Sequence, residues 1–137
     1  MQHRELTIYC DGGARGNPGP AAIGVVVTSD GGLITEFGRV IGVATNNTAE
    51  YRAVIAALEY LRLKSLQPAE IKIYTDSLVV GSQLAGKYKV KVAHLKNYLS
   101  QVRELETQIG VTISYRVIPR EQNARADYLV NQALDQA

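Results

Sequence analysis

The 137-residue chain has no tryptophan, a single cysteine, a single methionine and a single phenylalanine, and only a fifth of it is charged. Cys10 alone can form no intrachain disulfide, and without a second thiol there is no thiolate zinc site to build. No apolar stretch approaches the roughly 20 residues needed to cross a bilayer. The opening MQHRELTIYCD also lacks a basic segment followed by an apolar run and a small-residue cleavage site. The expectation is a protein without membrane or export signals, suited to a reducing cytoplasm. Nor is the chain poor in hydrophobic residues, which make up 46% of it and take it outside the composition of disordered segments. One compact domain over residues 1–137 is expected at this length.

Periodicity divides the chain cleanly. Residues 5–10 place Leu6, Ile8 and Cys10 on alternate positions and stop at Asp11, before the turn-forming GGARGNPGP. AAIGVVVT from Ala21 is β-branched and apolar, SDGG at 29–32 supplies a turn, and LITEFGRVIG reads as a third strand. Gly24 and Gly38 inside these strands mark bulges, close packing or function. TNNTAEYRAVIAALEYLRLKSL then switches to helical spacing, with Ala49, Ala53, Ala56 or Ala57, and Tyr60 or Leu61 on one stripe, and Gln67-Pro68 ends it. IKIYTD is a short strand ending at Asp76. SLVVGSQLAG forms a short helix broken near Gly86, KYKVKV is an irregular basic segment, AHLKNYLSQVRELETQI is a long helix, VTISYRVIP a last strand and NARADYLVNQALDQA a closing helix. The order βββαβααβα predicts an α/β fold in which a mixed five-stranded sheet carries helices.

Four acids fall at informative points, and each also has an ordinary structural explanation. Asp11 before Gly-Gly could simply start a turn. Glu50, three residues after Asn47, could complete a capping box. Asp76 stands where a helix N-cap is expected. Asp127 lies in the first turns of the last helix, where a carboxylate favours the positive end of the dipole. Together they sit at strand ends and helix starts of one sheet, positions that can converge on a single edge. Carboxylates gathered there would raise one another's pKa values unless cations neutralised them. All-oxygen ligands select hard cations, Mg²⁺ first and Mn²⁺ as the alternative. Two such ions roughly 4 Å apart suit phosphodiester hydrolysis. The net charge of +2 is a weak pointer to a polyanion; with these four of the 13 acids set aside, 9 remain against 15 bases, a balance of +6.

These segments, in order, resemble the ribonuclease H family of type 1 over almost the whole chain. YCDGGARGNPGPAAIGVV is similar to its first strand, glycine-rich loop and second strand, TNNTAEYRAVIAAL to the start of its catalytic helix, IYTDS to its third acidic site and NARADYLVNQA to its last. The resemblance implies sheet order 3-2-1-4-5 with strand 2 antiparallel, and a two-metal site of Asp11, Glu50, Asp76 and Asp127 in which Asp11 bridges the ions. It implies an endoribonuclease that hydrolyses the RNA strand of RNA·DNA hybrids and leaves 5′-phosphate and 3′-hydroxyl ends. It also implies that Gly12, Gly13, Ala14, Arg15, Gly16 and Asn17, with Asn46 and Asn47, approach the hybrid backbone. Glycine would let main-chain groups come close to the ribose 2′-hydroxyl that distinguishes RNA from DNA.

The chain departs from the family in three places. The histidine that many members carry before the last acid is missing from Ile118–Asn123, which leaves Arg120 to hold a phosphate or Glu121 to assist metal binding and release; His3 and His94 read as surface residues. Leu78 replaces a glutamine two residues after the third acid. The tryptophan-rich protrusion of some members is absent, and GKYKVKVAHLK stands there instead, with Lys87, Lys89, Lys91 and Lys96 for phosphates and Tyr88 for stacking. Double-stranded RNA, also A-form, is a further expected substrate, the protein is expected to be a monomer, and no membrane partner is expected. The competing readings are a DNA-cutting or strand-transfer enzyme of the same superfamily, and a hybrid-binding module without chemistry.

Overall fold

The computed structural model describes residues 5–137, so His3 lies outside the described residues. The elements are β1 (Glu5–Ala14), β2 (Gly19–Ser29), β3 (Gly32–Ala44), α1 (Asn46–Leu63), β4 (Glu70–Thr75), α2 (Leu78–Leu84), α3 (Ala93–Ile109), β5 (Thr112–Val117), a 3-10 turn (Arg120–Asn123) and α4 (Ala124–Asp135). The sheet runs β3-β2-β1-β4-β5. β2 is antiparallel to both β1 and β3, while β4 is parallel to β1 and to β5. This is the mixed five-stranded sheet expected from the sequence.

Period-two alternation decides the layers. Leu6, Ile8 and Cys10 of β1 and Ile23, Val25 and Val27 of β2 share one buried cluster with the alanine stripe of α1 and with Val102 and Leu105 of α3. The opposite face of β2 offers Val26 to a smaller cluster with Ala126 and Leu129 of α4. Because both faces are covered, β2 reads as a continuous apolar run rather than an alternating one. Asp30 and Gly31, at φ 52° and 80°, turn β2 into β3; positive φ at both central residues is what a tight hairpin needs to match strand twist.

Several boundaries differ by a residue or two from those the sequence predicts, β4 among them, which ends at Thr75 rather than at Asp76; two differ by more. α1 stops at Leu63, not at Gln67-Pro68, because Ser65 turns left-handed at φ 52° and Leu66 N–H bonds back to Leu61 O at 3.3 Å. Leu66 then folds onto the core, and that burial outweighs continuing an exposed helix. More important, β1 does not end at Asp11: it stays paired with β2 from Asp11↔Gly24 to Ala14↔Ala21. β4, on the other side, has its last pair at Cys10↔Thr75. Beyond Cys10, therefore, β1 is laddered on one side and open on the other.

Gly24 and Gly38 are close-packing glycines. They pair with each other across β2 and β3, and Gly24 also pairs with Asp11, so the three form a row across the sheet. A Cβ on Gly24 would overlap Ala126 O, and one on Gly38 would overlap Leu129 O. The bare row lets α4 lie directly on the strands and sets Asp127 beside Asp11. Gly24→Ala should therefore cost about 1–3 kcal/mol of stability by overpacking, read as a lower urea midpoint. An unchanged midpoint would mean that α4 can lift without loss.

Candidate active site

Three acids converge at the open edge of β1. Asp11 comes from β1 itself, Glu50 from the first turns of α1, and Asp76 from the residue after β4; each offers an oxygen within 4.8 Å of the others. Asp11 and Glu50 are each only 7% exposed, and Asp76 is half-buried. The ordinary explanations for these three fail. Thr45, not Asn47, caps α1 by accepting from Thr48 N–H at 3.2 Å, so Glu50 belongs to no capping box. Glu50 instead accepts from Gly12 N–H, which lies past the last pair of β1 with β4. Ser77 caps α2 by accepting from Val80 N–H at 3.1 Å, which frees Asp76. Asp11 lies within a strand and starts no turn.

Asp127 stands differently. It is exposed, falls in the first turn of α4 as the dipole argument expects, and lines the same cavity without joining the close group of three.

The electrostatics match a cation site. Burial first, then the charges of Asp76 and Asp127, push Asp11 from 3.8 up to about 7. Burial, then Asp11 and Asp76, hold Glu50 well above the usual carboxylate range, although Gly12 N–H pulls the other way. Acids so placed ionise together only if positive charge enters among them. The all-oxygen donor set suits a hard divalent ion. Cys10 offers no soft ligand: burial, then Glu50 and Asp11, push its thiol up, and its Sγ lies against Ala53 O.

A cavity of about 460 Å³ opens over these acids, and Gly12, Gly13, Ala14, Asn46, Asn47 and Arg120 line it. A larger cleft of about 690 Å³ lies at the opposite end of the sheet, among Glu5, Asp30 and Glu70, away from the clustered acids. The loop beside the site is tethered: Asn46 Oδ1 accepts from Ala14 N–H at 2.9 Å, and Asn17 Oδ1 accepts from Asn46 N–H at 3.0 Å. These bonds occupy the carbonyl ends of both amides. Arg15 also lines the cavity, but its guanidinium is bonded to Asp135 at 2.6 Å.

Other expected residues lie outside that cavity. Gly16 makes the turn at φ 100°, and Asn17 lines a neighbouring hollow with Thr45, Asn47 and His94. Lys87 and Lys89 are exposed on the connector between α2 and α3, and Glu121 is exposed in the 3-10 turn. His94 is exposed, as expected, and Leu78 is an exposed residue at the cavity wall. Sequence reasoning missed Asn123, which is 1% exposed and donates to both Cys10 O and Asp76. Its only signal was its place as the first residue of NARAD, where an asparagine reads as a helix start.

Sheet order and carboxylate placement together define a ribonuclease H-like domain. The chain belongs to the RNase H family, whose match spans residues 3–135. It is 45% identical over 130 residues to ribonuclease HI of Halobacterium salinarum, covering 94% of this chain and 64% of that protein. It is 42% identical over 135 residues to the bifunctional protein Rv2228c of Mycobacterium tuberculosis, covering 97% of this chain but 36% of that one. The chain thus spans about two thirds or less of these relatives. The crystal structure of the Halobacterium RNase H1 superposes with a TM-score of 0.91 at 44% identity, covering 97% of this chain and 99% of that one. LC11-RNase H1, solved in complex with an RNA/DNA hybrid, also gives 0.91 at 44% identity, covering 96% and 97%.

Proposed function

We propose that this chain is an endoribonuclease that hydrolyses the RNA strand of RNA·DNA hybrids, leaving 5′-phosphate and 3′-hydroxyl ends. The observation that carries this reading is the convergence of Asp11, Glu50 and Asp76 within 4.8 Å at the open edge of β1. The hybrid seen on LC11-RNase H1 supports the substrate. Two Mg²⁺ ions, or Mn²⁺ in their place, would activate the attacking water and stabilise charge on the phosphate and the leaving oxygen.

Asp11, the acid that feels both Asp76 and Asp127 and contacts Glu50, would hold these ions together with Glu50, Asp76 and Asp127. Gly12 to Asn17 follow the ribose-phosphate backbone, and the NH₂ groups of Asn17, Asn46 and Asn47 are its donors. Arg120 at the cavity wall holds a phosphate in place of the absent histidine, Glu121 assists metal exchange, and Lys87 and Lys89 meet the DNA strand. The protein acts as a monomer, and double-stranded RNA is a poorer substrate that presents a similar minor groove.

The test is a panel of RNA·DNA hybrid, double-stranded RNA, single-stranded RNA and double-stranded DNA, with Mg²⁺, with Mn²⁺ and with chelator. Efficient cleavage of the hybrid's RNA strand alone, abolished by chelator, is expected. Preferential cutting of DNA would replace this reading with that of a DNA-cleaving relative of the same fold.

A further inference from the structure

Where β4 stops, the side chain of Asn123 takes over its work. Asn123 Nδ2 donates to Cys10 O at 2.9 Å, the carbonyl at which β1 loses its parallel partner, and to Asp76 Oδ2 at 3.2 Å. One NH₂ group thus joins the residue before Asp11, the Asp76 carboxylate and the start of the helix that carries Asp127.

Two features separate this from routine helix capping. Asn123 occupies the N-cap position of α4, yet its side chain makes no cap bond. Its Oδ1 is buried without a hydrogen-bond partner among the described residues. An N-cap asparagine ordinarily uses that oxygen to accept a helix N–H. A buried, unsatisfied acceptor costs about 1–3 kcal/mol. The orientation forgoes the cap and leaves the oxygen unpaired so that both protons of the amide face the carbonyl and the carboxylate. The donor assignment is chemically forced, because a flipped amide would set Oδ1 against two acceptors.

We propose that Asn123 is a positioning residue that holds Asp76 at the spacing from Asp11 required to bind a divalent ion. This rests on the functional reading above. It acts through Asp76 and needs no contact with substrate. Removing a partner that orients a metal-binding carboxylate typically costs about 10–100-fold in metal affinity or activity.

The experiment compares wild type, Asn123→Ala and Asn123→Asp by calorimetric titration with Mn²⁺, by kcat and KM on a hybrid, and by thermal midpoint in chelator. Asn123→Ala should bind Mn²⁺ at least about tenfold more weakly and lose a similar factor in kcat, with KM within about threefold. Asn123→Asp keeps the size of the side chain and can cap a helix as well as asparagine, but it loses both donors, so its kcat should fall too. Wild-type kcat in Asn123→Asp would overturn the proposal and make the residue a cap. So would an Asn123→Ala protein whose thermal midpoint falls while its Mn²⁺ affinity stays at the wild-type value. Should Asn123→Ala fail to fold, Asn123→Leu, which keeps the volume and adds no charge, takes its place in the Mn²⁺ titration and the thermal midpoint, with the same outcomes expected and overturning. An inert wild type that still binds Mn²⁺ more tightly than Asn123→Ala would sink the nuclease reading while leaving the positioning role intact.

Discussion

Replacing Asp11 with asparagine should reduce hybrid cleavage by about a thousandfold or more while the protein stays folded. The substitution removes one negative charge from the acid that feels all three others, and it removes almost no volume. Metal ions supply several kcal/mol of charge stabilisation in reactions of this type, and each 1.36 kcal/mol is about tenfold in rate. The measurement is single-turnover cleavage of a labelled hybrid, with circular dichroism to verify the fold. Asp11→Asn protein that cuts at the parental rate would reduce Asp11 to a strand residue and leave the site without its centre.

The same substitution should stabilise the metal-free protein at neutral pH. An acid whose folded-state pKa lies above its unfolded value binds its proton more tightly in the native state. Its favourable contribution is therefore complete below the unfolded value and lost as pH rises through the folded one. For Asp11 that window runs from 3.8 to about 7. A rise of that size corresponds to a loss on the order of 4 kcal/mol across the window. Glu50 adds in the same direction. Glu36 works the other way, because its hydrogen bond to Arg125 lowers its pKa; it cancels in the difference between variant and parent, which reads Asp11 together with the Glu50 carboxyl that Asp11 raises.

In chelator, the stability gained by Asp11→Asn over the parent should grow as pH rises from 4.5 to 7.5, read from urea midpoints. Divalent ions should then raise the parent's midpoint and do less for the variant, since only the folded site gathers the ligands. Parallel pH curves for the two proteins would show that Asp11 is not held out of water among like charges.

Much of this was legible in the linear chain because its signals are local. β-branched alternation, alanine spacing and the Asp30-Gly31 turn specify strands, α1 and a hairpin through short-range sterics and burial. The acids were legible as candidates for the same reason: each stands at a change of period. Other features were not legible, because their causes lie across the fold. The end of β4 at Thr75 determines that Asp11 has an open edge, although the two residues are far apart in sequence. Thr45 and Ser77 do the capping, and nothing local says that they rather than Asn47 and Asp76 will do so. Arg15 reads as a substrate ligand in its loop, and nothing local shows that Asp135, at the far end of the chain, pairs with it.

By itself, then, the sequence determined the element order, the apolar run of β2 and four acids in a recognisable succession, since periodicity and turn chemistry act over a few residues. Only the tertiary structure decided which acids are buried together, how close α4 may come and what orients Asp76. Those depend on Cβ atoms missing from Gly24 and Gly38, on a strand that ends one residue early, and on a buried amide that spans the gap it leaves.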